Sequence, residues 1–439
     1  MPRNFRGGVH PDDMKKFTRD KAIEVLPAPS EVVLPVSMHI GAPAVPVVAV
    51  GDAVKIGQVV AEAQAAVCAP IHATVSGTVK AIEPRPHPNG TNVMSIVIEN
   101  DFQESWVELT PTDNLHTISG EELGDLCLKA GLVGLGGAAF PVHIKIKSAI
   151  GKVDTLIING AECEPYITSD YRLMLERGEK LLAGVEIVRK ALGLEVAHIA
   201  IESNKRDAIE HLKKLMQLYP NLKLDVLRTK YPQGSEKHLI YAVTGREVPP
   251  GELPSAVGVV NINIATAVAI ADYVETGKPL LHKVVTVSGS AVANPKNLLV
   301  RIGTPFSALL DAAGGMLEEP HTILAGGPMM GMAQHSIDVP VIKGTNAVLA
   351  LCKDENKFDE EQICIRCGKC VAACPMNLLP NYLYSYAKAN RYEDLDQLNL
   401  TDCIECGACS YGCPGRLHLT QTFKTAKREL IARKKKKGE

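Results

Sequence analysis

The sequence predicts a multidomain α/β chain, and three observations lead there. Short Val- and Ile-rich runs broken by Gly and Pro fill residues 31–99, strand and helix patterns alternate through the middle, and eight cysteines crowd between Cys364 and Cys413. At 439 residues the chain is too long for one ordinary core, and length alone suggests about three domains. Hydrophobic residues make up 46%, enough to build those cores. The formal net charge of −2 implies no general affinity for nucleic acid.

Residues 1–30 are charged and mixed, and Met1-Pro2-Arg3-Asn4-Phe5-Arg6 lacks the apolar core of a signal peptide. No uninterrupted apolar run reaches the ~18 residues a spanning helix needs, so the chain is expected to be soluble or attached to a membrane through a partner. Val45–Val50 meeting Gly51-Asp52, and Val75 and Val79 flanking Ser76-Gly77-Thr78, read as short strands and tight turns of a small all-β domain. From Glu121 the period changes. Helices are predicted over Glu121–Ala130 (stopped by Gly131), Tyr171–Leu192 and Lys205–Leu218, and strands over Val153–Ile158, Val196–Ile201 and Leu222–Leu227. That alternation argues an α/β domain with a mainly parallel sheet. Strands return at Val284–Ser288, Thr322–Leu324 and Ala347–Leu351 around a helix near Phe306–Ala313, giving a small α+β module. A cysteine-rich helical segment follows.

Cys364, Cys367, Cys370 and Cys374-Pro375 form one C-x2-C-x2-C-x3-C-P run, and Cys403, Cys406, Cys409 and Cys413-Pro414 form a second. A cubane [4Fe–4S] cluster needs four thiolates, and in two-cluster ferredoxins the fourth cysteine of each run serves the other cluster. Cys364, Cys367, Cys370 and Cys413 are therefore assigned to one cluster, and Cys403, Cys406, Cys409 and Cys374 to the other. Zinc ribbons are built from two Cys-x-x-Cys halves, not a four-cysteine run ending in Pro. Such spacing favours metal over disulfides and a reducing compartment. Gly368 and Gly407 would let backbone N–H groups approach the sulfurs. Cys68, Cys127, Cys163 and Cys352 read as small packed residues.

Four further patches stand out. Gly131–Pro141 contains Gly134, Gly136, Gly137 and Phe140, with Lys145 just beyond. Bare glycines let backbone amides approach a flat ring or phosphate, and Lys145 can reach an anion. Asn159-Gly160-Ala161-Glu162-Cys163-Glu164, running on to Asp170 and Arg172, sits at a predicted strand end, where parallel sheets place ligands. Tyr231 to Lys237 includes Glu236, and Asn263 to Thr266 heads a helix, with Asn an ordinary cap.

Taken in order, these patches resemble the flavin- and NADH-binding subunit of respiratory complex I. The resemblance implies that Gly134, Gly136, Gly137, Phe140, Lys145, Asn159, Glu162, Glu164, Tyr231, Glu236, Asn263 and Thr266 form a noncovalent FMN and NAD(H) pocket, with Phe140 stacked on a nucleotide ring. Leu135, Ala161 and Ser235 depart from that pattern, which usually has Arg, Asp and Glu there. Over nearly the whole chain the sequence is similar to the RnfC family, components of Rnf-type electron transport complexes. Phe5-Arg6-Gly7-Gly8-Val9-His10, the Ala161–Pro165 variant, Gly326-Gly327-Pro328-Met329-Met330-Gly331 and the doubled cysteine motif carry that resemblance.

The resemblance implies a domain order: an N-terminal segment (1–30), a lipoyl-like barrel-sandwich (31–110), a Rossmann-like FMN/NADH domain (115–282), an SLBB β-grasp module (283–352) and a two-[4Fe–4S] helical domain with a basic tail (353–439). It implies a peripheral subunit on the cytoplasmic face of a membrane complex. Such a subunit exchanges hydride with NAD(H) through FMN and single electrons with a ferredoxin-fed partner subunit, coupled to Na⁺ or H⁺ transport. A flavin is what can join two-electron and one-electron chemistry. From Val60 to Ala73 there is no lysine, so a swinging-arm carrier role is not expected. His72 reads as a packed or capping residue. The barrel-sandwich then reads as a docking module and the β-grasp as scaffolding. Two rival readings remain: a microcompartment cobalamin reductase, in which the barrel-sandwich follows the flavin domain, and a cluster-only relay with a decayed flavin pocket. The run Arg433–Lys437 reads as a frayed solubilising tail, with attraction to anionic lipid or to an acidic ferredoxin as the alternative.

Overall fold

The structure is a computed structural model and describes residues 4–112, 117–355 and 360–437. The domain boundary expected at residue 115 and the last two residues of the basic tail lie outside the described residues.

The first domain is two small antiparallel sheets packed face to face. One joins Glu31–Pro35, Asn92–Asn100, Gly77–Pro86 and Ala53–Val54; the other joins Val45–Pro46, Val59–Glu62 and Ile71–His72. Val32, Leu34, Val60, Ile71, Ile96 and Ile98 point into the shared core. Two expectations change. The run at Val45 pairs for only two residues. The expected turn at Ser76–Thr78 is instead the start of a ten-residue strand. Gly77 serves close approach there: at φ +149° its missing Cβ leaves room for the Glu99 carbonyl.

The middle of the chain is a parallel sheet of four strands, β1 (Thr155–Gly160), β2 (Ala197–Glu202), β3 (Leu222–Leu227) and β4 (Val259–Asn263). Their order in the sheet is β3-β2-β1-β4. Helices cover both faces, so Leu156, Ile157 and Ile158 are all fully buried in one unbroken run. The helix expected from Glu121 spans Gly120–Lys129. Ser119 and Glu122 cap it reciprocally, and Gly131 ends it at φ +65°. The single helix expected over 171–192 is two, Ser169–Glu176 and Gly178–Ala191, broken where Arg177 leaves helical geometry (φ −128°).

The third unit is a mixed six-stranded sheet over a core of Val285, Val300, Phe306, Leu309 and Val348. One of its strands, Ile23–Val25, comes from the N-terminal segment and pairs parallel to Lys296–Arg301. The cysteine-rich segment folds as short helices closed by the long helix Leu419–Lys437. Leu383, Leu395, Leu400 and Phe423 pack beneath the cysteines. The basic run is therefore not frayed but continues that helix. Among the described residues no helix is long and apolar enough to cross a membrane.

Candidate functional site

A cavity of about 530 Å³ opens at the carboxyl ends of β1 and β4, where the strand order reverses. That switch point is where open parallel sheets bind ligands. All twelve pocket residues singled out from the sequence line this one cavity.

The glycine loop forms one wall. The Leu135 amide donates to Thr266 Oγ1 at 2.9 Å, and the Leu135 carbonyl accepts from the buried Lys283 Nζ. A Cβ on Gly136 would stand 2.6 Å from Asn263 Nδ2. Asn263 ends β4 and caps the next helix, accepting from the Ala265 and Thr266 amides, while its Nδ2 donates to Asp170 Oδ2 at 2.5 Å. Lys145 is held at the other end by Glu236 Oε2 (2.8 Å) and the Asn261 carbonyl (3.3 Å).

The end of β1 forms the floor. Asn159 accepts from the Ala161 amide and donates to the Gly234 carbonyl at 2.8 Å. A Cβ on Gly234 would run into the Ala161 carbonyl. Glu162 Oε1 accepts from the Asp170 amide at 2.8 Å, and its Oε2 lies 3.8 Å from the buried Lys15 Nζ without a hydrogen bond. Lys15 also donates to the Glu164 and Ile167 carbonyls. Glu164 turns away from the sheet and accepts from the Met330 amide (2.8 Å) and the Met329 amide (3.3 Å). Burial pushes its carboxyl up to about 7 against those two N–H groups. Burial also raises Asp170, with Glu162 adding to the shift, and lowers Lys283.

Sequence reasoning missed several of these parts. Lys15 lies far from β1 in the chain. Met330, on the Gly326–Gly331 loop of the third unit, lines the cavity, as does Ile40 of the barrel-sandwich. Both outer modules thus contribute wall, beyond docking or scaffolding. In the sequence Asp170 is only a continuation of the strand end; in the structure it lies in the cavity, whereas Arg172 pairs with Glu176 outside it. Asn261 alternates with Asn263 along β4, a period-2 signal that could have been read. Its buried Nδ2 has no partner.

The cysteines sort into two groups that mix the two runs. Cys374, Cys403, Cys406 and Cys409 line one small cavity of about 20 Å³. Cys364, Cys370 and Cys413 are electrostatic neighbours, and Cys367 is exposed. Burial pushes the Cys406 thiol up to about 12, with Cys403 and Cys374 adding to it. Among the described residues no three candidate ligands are drawn in tightly enough to share one metal ion. Four thiols crowded around a gap, three buried and that of Cys403 half-buried, suit a multi-iron body that deprotonates them all. Ile404 and Cys406 also line the large cavity, and Tyr231 Oη donates to the Cys406 carbonyl at 2.6 Å.

Comparison with known proteins matches four families in succession. They are the RnfC barrel sandwich hybrid domain (3–103), the Nuo51 FMN-binding domain (127–272), the SLBB domain (284–333) and a 4Fe-4S dicluster domain (356–414). The C component of the proton-translocating ferredoxin:NAD(+) oxidoreductase complex of Clostridium ljungdahlii is 49% identical over 407 residues, 92% of this chain and 88% of its own. Its Na(+)-translocating counterpart from Acetobacterium woodii is 44% identical over 434 residues, 98% of both chains. The chain belongs to this RnfC family. An air-oxidized NAD+-reducing [NiFe]-hydrogenase shares the fold at 19% identity and TM-score 0.50, over 74% of this chain and 64% of its own.

The family domains make FMN and [4Fe–4S] clusters the cofactors, and the residues present fit both. At Gly137, on the cavity wall, a Cβ would stand in open space with no atom within 4 Å, and Asn261 Nδ2 and Glu162 Oε2 are buried polar atoms of the cavity wall without hydrogen-bond partners.

Proposed function

We propose that this chain is the NAD(H)-reacting subunit of a ferredoxin:NAD oxidoreductase complex, peripheral to the membrane on its cytoplasmic face, and that the large cavity holds FMN and admits NAD(H). When bound, FMN supplies hydride exchange with the nicotinamide and single-electron exchange with a cluster. Every other role belongs to the chain. Gly134, Gly136 and Gly137 bring amides against the cofactor, and Lys145 supplies positive charge to a phosphate. Asn159, Asn263 and Thr266 fix the loops, and Phe140 offers a ring face to the nucleotide. Glu162 and Asp170 set the local charge, Asp170 providing an acidic group that Ala161 and Ser235 do not. Hydride transfer itself needs no acid or base from the protein.

One observation carries the reading: the cavity wall includes Cys406, one of the four cysteines that share the smaller cavity. We assign Cys374, Cys403, Cys406 and Cys409 to the cluster beside FMN and Cys364, Cys367, Cys370 and Cys413 to the cluster nearer solvent. The domain order, barrel-sandwich first, disfavours the cobalamin reductase reading. The intact twelve-residue lining disfavours the relay. The test is anaerobic analysis of purified protein with an NADH:acceptor assay. About eight irons, from two cubanes, one FMN and NADH oxidation are expected; a flavin-free protein inert to NADH would return the relay reading.

A further inference from the structure

The long C-terminal helix concentrates charge. Between residues 424 and 437 the chain carries eight basic side chains and one acidic one, in a protein whose net charge is −2. Packing sorts these residues by face. The inner stripe is Phe423, Ala426 and Leu430, all buried. The basic residues flanking that stripe have partners. Lys427 lies 3.6 Å from Glu405, Lys434 lies 2.6 Å from Asp396, and Arg433 lies 2.8 Å from Glu429 while its guanidinium sits over the Tyr392 ring.

The opposite face is different. Arg428, Ile431 and Lys435 recur at i, i+3 and i+7, one helical stripe, with Lys436 beside them. All four are exposed, and among the described residues Arg428, Lys435 and Lys436 enter no ion pair. Ile431, 40% exposed, places an apolar side chain in the middle of that basic stripe. If the run served only solubility, nothing would put a large apolar group at its centre. An apolar group ringed by basic ones is the pattern of a helix lying in a bilayer's headgroup layer.

We propose that this outer face of Leu419–Lys437 binds anionic lipid headgroups, with Ile431 dipping toward the acyl boundary. The proposal rests on the reading of the chain as a subunit of a membrane complex. It explains how a chain whose described helices cannot span a bilayer stays on one. Basic clusters near an anionic surface act over a Debye length and fade with salt. Alone they give reversible binding, and a second attachment, here the neighbouring subunits, multiplies it.

The test is flotation of the cofactor-loaded chain with phosphatidylglycerol/phosphatidylcholine vesicles and with pure phosphatidylcholine vesicles, at low and high salt. Binding to the anionic vesicles alone, weakened by salt, is expected. The triple variant Arg428→Gln/Lys435→Gln/Lys436→Gln should lose roughly a hundredfold in partition, from about fivefold per basic residue near the surface. Ile431→Ser should lose a smaller factor that salt does not erase. Equal partition of wild type and triple variant overturns the proposal, as does failure to float with anionic vesicles. A preference for an acidic protein or nucleic-acid competitor over the vesicles also overturns it. NADH:acceptor activity, read on the same samples, should be equal throughout. Its loss in wild type would count against the flavin reading and leave the lipid result standing.

Discussion

Tyr231 donates its hydroxyl to the Cys406 carbonyl at 2.6 Å, and that bond joins the flavin domain to the second cysteine run. The same tyrosine exchanges backbone hydrogen bonds with Val9, so the N-terminal segment is clamped into the seam. Gly8 reaches across to the Ala373 carbonyl, and the absent Cβ of Gly7 leaves room for that of Cys374. The cavity and the cysteine group behind it are therefore held by three stretches of chain that are remote in sequence.

Tyr231→Phe removes one side of that clamp. The buried Cys406 carbonyl loses its tyrosine partner, a loss of about 1–2 kcal/mol. In stopped flow, flavin bleaching by NADH should keep its rate while cluster reduction slows. Cluster reduction at the wild-type rate would show that the bond is not part of the electron path.

Phe140→Ala should raise the Michaelis constant for NADH about five- to tenfold, the value of one ring contact of about 1 kcal/mol, with flavin content unchanged. Initial-rate kinetics on flavin-matched samples read it directly. An unaltered constant would place the nucleotide elsewhere in the cavity.

Gly234→Ala drives a Cβ into the Ala161 carbonyl, and Asn159 bonds the Gly234 carbonyl. The loop must move, and the floor of the cradle moves with it. Flavin per chain should fall severalfold while iron per chain holds. Loss of both together would mean the change unfolds the domain and says nothing of the cradle.

Glu164 gives a pH signature with a definite sign. Its folded value, about 7, lies above the ordinary 4.5 because of burial. Between those values the unfolded chain is ionised and the folded one is protonated. The stabilising contribution is therefore complete below 4.5 and is lost as pH rises through about 7. Glu164→Gln abolishes that slope, so the variant should gain thermal stability relative to wild type from pH 4.5 to pH 8, by about 3 kcal/mol at most. Parallel pH curves for the two proteins would show that the carboxyl titrates normally.

Much of this was legible in the sequence, and the failures have physical causes. Leu222–Leu227 and Ala347–Leu351 match the predicted strands residue for residue, because short apolar runs of strand length bounded by other patterns leave little choice. The break at Arg177 was invisible, since the apolar stripe continues across it on both sides. Gly77 looks like a turn in the sequence because its role, close approach to Glu99, depends on a strand elsewhere in the chain. The twelve residues that line the cavity came from the resemblance to the complex I flavin subunit, whose motifs are local in sequence. Lys15, Ile40 and Met330 were not, because each enters the cavity through packing between units, which leaves no local pattern. The helical basic run reads as a tail because charge composition carries no sign of the Phe423, Ala426 and Leu430 stripe that anchors it.

The cysteine group beside the flavin cavity takes Cys374 from the first run and three cysteines from the second. The most direct test compares Cys374→Ala with Cys367→Ala after anaerobic purification, following by EPR whether NADH reduces the cluster that remains. Each variant should keep about four irons. The Cys367→Ala protein should still pass electrons from NADH to its remaining cluster, and the Cys374→Ala protein should not. The reverse pattern, or equal reduction in both, would contradict it.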